Sequence, residues 1–258
     1  MTKRVCRGVA GGLALGTFAA VLAACPGPLA ADETVFRPRA RRADALKVLL
    51  VTGGHDHDVA FYSAFDGQDD LAVMVDGHPS AFTRPFGKTG RRVDVLALYD
   101  MAPDVPEAQR ENVRRYVEEG GAVVGIHHAL SGSTGWTWLH EEVLGARWIF
   151  APEPGRPVSD YKHDEEIAVK VVADHPITKG LADFRIHDET YGRLWMSPRL
   201  QVLLRTDHPL SDGPVAWTLP HPKARLAVIQ LGHGREAHHH PSWRRLVRNA
   251  LLWAGGRD

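Results

Sequence analysis

From residue 46 onward the chain alternates between short, nearly continuous apolar runs and longer stretches with helical spacing. The first run, Leu46-Lys47-Val48-Leu49-Leu50-Val51, leads into Gly53-Gly54-His55-Asp56-His57. Residues 93–99 form the second run and residues 122–126 the third. Runs this short, with so few polar positions, fit strands buried on both faces. Between the second and third, Asp104-Val105-Pro106-Glu107 offers an N-cap acid, a first-turn proline and a glutamate three residues after the cap. That pattern predicts a helix through Val113 and Tyr116-Val117, ending at Gly120-Gly121. Further strands are expected at 167–172, 200–204, 215–218 and 226–231. A closing helix over about 242–253 would turn Trp243, Leu246, Val247, Leu251 and Trp253 to one face. This rhythm predicts one α/β domain, built from βαβ units around a parallel sheet covered on both faces.

The first residues read differently. Lys3, Arg4 and Arg7 precede an uncharged stretch, residues 8–24, rich in Ala, Gly, Leu and Val. A basic segment followed by an apolar one is the pattern of a secretory signal. Leu22-Ala23-Ala24-Cys25 resembles the lipobox of bacterial lipoproteins, which places a lipid on Cys25. The expected organisation is a signal over 1–24, a linker over 25–45 and a domain over 46–256. Cleavage near Ala30-Ala31 and an uncleaved anchor are the competing readings. The expected location is the periplasm or cell envelope, with membrane attachment through the N-terminal lipid.

The two cysteines, Cys6 and Cys25, both precede the domain, so it has neither a disulfide framework nor a thiol nucleophile. The chain balances 31 basic against 31 acidic residues, and removing Lys3, Arg4 and Arg7 leaves 28 against 31. No basic excess points to nucleic acid. Arg37, Arg39, Arg41 and Arg42 fall in the linker and read as a solvated segment near anionic lipid.

Histidines gather where apolar runs end. His55 and His57 follow the first run, and His127 and His128 follow the third in GIHHALSG. His233 follows residues 226–231, and His187-Asp188-Glu189-Thr190-Tyr191 adds carboxylates and a phenol. Ligands of open parallel sheets bind at the carboxyl ends of strands, so these groups are expected to share a pocket. Imidazoles with a carboxylate suit Zn²⁺ or a similar divalent ion, and without metal they suit acid–base work. His140, His163, His175, His208 and His221 read as solvated or hydrogen-bonded. His238-His239-His240 reads either as a metal tract or as a solvated turn before Pro241. A Gly-x-Ser-x-Gly elbow, a His-Glu-x-x-His helix, a complete phosphate loop and a dinucleotide fingerprint are all missing.

The order of motifs resembles the ThuA-like (trehalose utilisation) family. The matching pieces are LLVTGGH at 49–55, GGAVVGIHHA at 120–129, HPITKGL at 175–181, DETY at 188–191, PVAW at 214–217, LGH at 231–233 and LWAGG at 252–256. The resemblance implies a flavodoxin-like three-layer α/β sandwich with a mostly parallel sheet, as in class I glutamine amidotransferases. Those enzymes carry a cysteine nucleophile in a Gly-x-Cys elbow; here the turn reads Gly125-Ile126-His127, so glutamine amidotransferase activity is not implied. One of His127 and His128 is expected to face the pocket and the other to pack behind it.

The resemblance also implies an enzyme acting on a sugar or glycoside, by hydrolysis or elimination. In that reading His55, His127 and His233 are metal ligands or acid–base groups. Glu189, Asp188 and His128 form the catalytic group, with Glu189 transferring the proton. His57, Tyr191, Trp136 and Trp195 contact a small-molecule carbohydrate. The alternative is a non-catalytic carbohydrate-binding or scaffold lipoprotein.

Overall fold

A computed structural model describes residues 42–257, apart from 79, 102, 103, 133 and 134. The expected signal, Cys25 and the linker as far as residue 41 lie outside the described residues. Among the described residues, no helix is long and apolar enough to cross a membrane.

The strands in chain order are β1 (Leu46–Gly53), β2 (Leu71–Gly77), β3 (Val95–Asp100), β4 (Ala122–Ile126), β5 (Ala146–Arg147) and β6 (Asp160–Val171). They continue as β7 (Phe184–Gly192), β8 (Trp195–Met196), β9 (Gln201–Thr206), β10 (Pro214–Leu219) and β11 (Leu226–Ile229). The α-helices among the described residues are α1 (Glu107–Glu118), α2 (Arg235–His239) and α3 (Pro241–Ala254). Nine strands form one sheet in the order β2-β1-β3-β4-β11-β10-β9-β6-β7, and β5 pairs with β8 separately. The fold is mixed α/β around a large, mostly parallel sheet. Pairing is parallel from β2 to β11 and antiparallel from β11 to the β7 edge, so β10 and β6 point against the rest.

Alternation along β1 shows why its sequence is apolar throughout. Val48 and Leu50 enter one core with Trp243, Leu246, Val247 and Leu251 of α3. Leu49 and Val51 enter the other with Val113, Tyr116 and Val117 of α1. Each such side chain contributes about 1.5–3 kcal/mol when fully buried. Trp253, expected on the buried face of α3, is only partly buried and lies against His175.

Helix α1 begins later than the sequence predicts. Pro106 occupies its N-cap position with an extended ψ of 144°, and no side chain caps it. The residue before a proline is disfavoured in α conformation, so Val105 cannot serve as a first helical residue after an Asp104 cap. Strand β6 starts at Asp160 rather than near 167, β7 takes in the polar DETY segment, and β2 is a strand that the sequence reading passed over.

Candidate functional site

Three strand ends of the parallel half converge on β7. After β4, His127 adopts a φ of 40°, the sharp turn expected at this elbow. After β11, Gly232 has a φ of 120°, and a Cβ there would lie 2.7 Å from Nε1 of Trp243. Only glycine meets both conditions, and the turn it makes delivers His233 to the strand ends. Asp188 fixes that turn: its two oxygens accept the main-chain N–H groups of Gly232 (2.7 Å) and His233 (2.9 Å). The Tyr99 hydroxyl and the ring of His238 each donate to the Gly232 carbonyl at 2.9 Å.

At the centre lies Glu189, whose carboxylate is almost wholly buried. Its Oε2 is 2.8 Å from Nε2 of His127 and 2.9 Å from Nδ1 of His233, and its Oε1 is 3.4 Å from Nδ1 of His163. Nε2 of His127 is also 2.9 Å from the Tyr191 hydroxyl and 3.2 Å from Nδ1 of His233. Nδ1–H of His127 donates to the Gln230 carbonyl at 2.6 Å, which aims Nε2 at the cluster.

Burial alone would raise the Glu189 carboxyl, but hydrogen bonds from His127 and His233 outweigh it and hold it well below the usual carboxylate range. His233 moves the other way. Its partial burial favours the neutral ring, yet the bond to Glu189 raises its pKa. Burial pushes His128 far below the ordinary histidine range, helped by the charges of His127, His55 and His233. Both ring nitrogens of His128 are buried without a hydrogen-bond partner among the described residues. Asp188 is raised by burial, against the pull of His127 and its two N–H donors.

A cavity of about 260 Å³ opens over this cluster, lined by His55, His128, Ser131, His163, Glu189 and His233. Trp148, Phe150, Tyr161, Tyr191 and Met101 complete its lining. A larger depression of about 750 Å³ lies at the opposite end of the sheet. Its Lys88 and Arg225 donate to the carbonyls of Glu119 (2.8 Å) and Trp253 (2.6 Å), so they serve the C-terminal ends of α1 and α3.

The structure brings together most of the residues singled out from the sequence. The His55 ring lies 4.3 Å from that of His128 between centres, tilted by 34°, and 5.8 Å from that of His233. His128 lines the cavity, while His127 is wholly buried beneath Glu189 and His233. Among the described residues, two groups of side chains could hold a metal ion: His127, His128 and His233, and His163, Glu189 and His233. His55 belongs to neither group.

Three expected contacts lie elsewhere. Trp136 is buried against Phe82, with the Arg110 guanidinium over its ring. Trp195 sits in β8 opposite Arg147 and does not line the cavity. His57 bonds the Tyr62 hydroxyl at 3.1 Å and packs edge-on to Tyr99, outside the cavity. His238 is buried in α2 against Phe61 and Trp243 rather than in a solvated turn.

His163 is the functional residue that the sequence reading set aside. In the β6–β7 ladder Lys162 pairs with Thr190 and Glu165 with Asp188, so His163 and Asp164 oppose Glu189 alone. This β-bulge, with Asp164 at a φ of 60°, carries His163 over the Glu189 carboxylate. Asp tolerates this left-handed conformation better than most residues, and Asp164 within a polar stretch is the one trace the bulge leaves in the sequence.

Fold and site together define a mixed α/β protein with a histidine–carboxylate cluster, able to hold a metal ion, at the carboxyl edge of its parallel strands. Residues 47–254 match the ThuA family, described as trehalose utilisation, and the chain belongs to that family. A ThuA-like protein from Parabacteroides merdae superposes with a TM-score of 0.68 at 18% identity, over 82% of this chain and 90% of that one. One from Bacteroides uniformis gives 0.63 at 22% identity, over 84% and 94%. A β-galactosidase from Rahnella sp. R3 gives 0.54 at 14% identity, over 82% of this chain but 31% of its own length. At these identities the likeness concerns the fold alone. No curated protein matches the chain in sequence.

Proposed function

We propose that the protein is an exported, lipid-anchored enzyme of the cell envelope that transfers a proton on a sugar or glycoside, in hydrolysis or elimination. The observation that carries the catalytic part is the buried Glu189 carboxylate shared by His127 and His233 at the floor of a cavity. Glu189 stays ionised and acts as counter-ion rather than proton donor. His233, about a quarter exposed and tied to Glu189 through Nδ1, exchanges the proton with the ligand. Asp188 positions His233 through its main chain. The basic and apolar N-terminal pattern ending at Cys25 supports export and lipidation.

A divalent cation such as Zn²⁺ fits the same donors. Oε2 of Glu189, Nε2 of His127 and Nδ1 of His233 lie 2.8–3.2 Å from one another. Ligand atoms about 2.0–2.1 Å from a tetrahedral Zn²⁺ are separated by roughly 3.3 Å. The unpartnered nitrogens of His128 are further donors beside them. Such an ion would polarise a bound oxygen or lower the pKa of a water.

Elemental analysis of the gently purified chain, followed by turnover of a glycoside panel, tests both parts. Turnover lost in Glu189→Gln supports the enzyme, and stoichiometric metal supports the cation. Sugar affinity without turnover of any glycoside would instead make the protein a carbohydrate-binding lipoprotein.

A further inference from the structure

The wall facing the histidines is built of rings. Trp148 and Phe150 follow β5 two residues apart, and both line the cavity while Ile149 between them is buried. Ser159 pins this stretch: its N–H donates to the Ile149 carbonyl at 2.9 Å, and its Oγ accepts the Ile149 N–H at 2.9 Å. The same hydroxyl donates to the Arg193 carbonyl at 2.9 Å, tying the wall to the end of β7. Tyr161 stands directly opposite Tyr191 in the ladder and therefore shares its face. Trp148 lies 6.3 Å from Phe150, 6.2 Å from Tyr161 and, edge-on, 5.1 Å from Tyr191.

Phe150 is 50% exposed and Tyr161 57% exposed, and among the described residues they are the aromatic members of the exposed large apolar set. Both border this one cavity. Exposed rings held in fixed positions beside a polar pit make a preformed surface for a flat apolar group.

We infer that the cavity takes a glycoside whose aglycone is a flat, apolar, aromatic group: the sugar enters the histidine–Glu189 pit and the aglycone lies against Trp148, Phe150 and Tyr161. The inference rests on the sugar reading above and names the leaving portion of its substrate. A second pyranose would stack only its C–H face on these rings, and Phe150 offers its hydroxyls no hydrogen bond, whereas a flat aromatic group is apolar over its whole face.

The test is binding of phenyl and methyl glycosides of glucose and galactose, both anomers, with trehalose and free phenol alongside, by calorimetry on the full chain. The best phenyl glycoside is expected to bind roughly tenfold more tightly than its methyl counterpart and than trehalose. In the double variant Phe150→Ala/Tyr161→Ala that preference is expected to fall to about twofold or less, and Tyr161→Phe should keep most of it. Both residues are half exposed, and a melting curve for each variant checks that the fold is kept. Equal binding of phenyl and methyl glycosides, tighter binding of trehalose, or a preference that survives the double variant would overturn the inference and leave the sugar reading standing. Phenol binding as tightly as the phenyl glycosides, or no glycoside binding at all, would overturn both.

Discussion

The two halves of the sheet contribute to the site in different ways. In the parallel half, from β2 to β11, every strand but β2 is buried on both faces, and the strand ends deliver His55, His127, His128 and His233. In the antiparallel half, β6 and the edge strand β7 contribute side chains along their length: Asp188, Glu189, Tyr191, Tyr161 and His163. The parallel half sets where the imidazoles stand, and the antiparallel half supplies the carboxylate and rings that give them work. A site at strand ends alone would be a row of histidines. The charge that organises them comes from within β7, the far edge strand of the same sheet.

Removing that charge is the largest test of this division. Glu189→Gln keeps the shape of the side chain but takes away the counter-ion of His233, and turnover of the best glycoside is expected to fall about 10²–10⁴-fold. Kinetics with a folded variant measure this. A fall below tenfold would leave the parallel half catalytically sufficient and the division would fail.

The next effect belongs to the parallel half and is read as stability against pH. His238 is wholly buried under the Gly232 turn, and desolvation lowers its pKa to about 4 despite its bond to the Gly232 carbonyl. Its folded pKa lies below the ordinary 6.5, so the unfolded chain takes up the proton first. The stability from the neutral ring is therefore complete above about pH 6.5 and is lost as pH falls towards 4. Across that window the loss is about 3 kcal/mol. Urea unfolding of the native chain and His238→Asn at pH 7 and pH 4 isolates it: the native chain should lose about 3 kcal/mol more than the variant. Equal losses would show that the turn tolerates a charged ring.

The same contrast explains what the sequence reveals. Strand β4 is legible to the residue, because an uninterrupted apolar run between Gly121 and His127 has no other reading. Three of its neighbours in the parallel half are equally plain, but β2 is half-exposed and escapes. In the antiparallel half β6 pairs with β9 only over Val169–Val171, and the rest of its length is mostly exposed and needs few apolar residues. Only Ile167 to Val171 of β6 stand out, and the rest of the strand, DYKHDEE, looks like a loop. The bulge that re-aims His163 depends on the register between β6 and β7, which no single strand encodes. Trp148 went unread for a related reason: its direction follows from how Ser159 ties down the connection after β5. Trp136 and Trp195 have the same composition signal and a different address.

Asp188 joins the two halves, since it lies on β7 and holds the turn after β11. Asp188→Ala leaves the N–H groups of Gly232 and His233 without their acceptor, and a loss of about 2 kcal/mol is expected in urea unfolding. Turnover should drop as well, because His233 loses its fixed place while Glu189 is untouched. A variant as stable as the native chain would show that Tyr99 and His238 hold the turn by themselves.

The smallest effect tests what holds the antiparallel half to the rest. Lys170 on β6 pairs with Asp207, and both side chains stand mostly in water, 55% and 73% exposed. The bond raises the lysine pKa and lowers the aspartate pKa. Salt and solvent screen such a pair, and ordering two long side chains offsets what attraction is left. On the same strand Ile167 and Val169 are fully buried in the core shared with Leu203, Leu204 and Val215. If burial holds this half as it holds the other, Lys170→Ala will leave the urea midpoint at physiological salt where it was, whereas Ile167→Ala will lower it by an amount set by the cavity left behind. A resolvable shift from Lys170→Ala, vanishing at high salt, would mean that β6 is kept in register by charge, and the two halves would then differ in what holds them as well as in what they contribute.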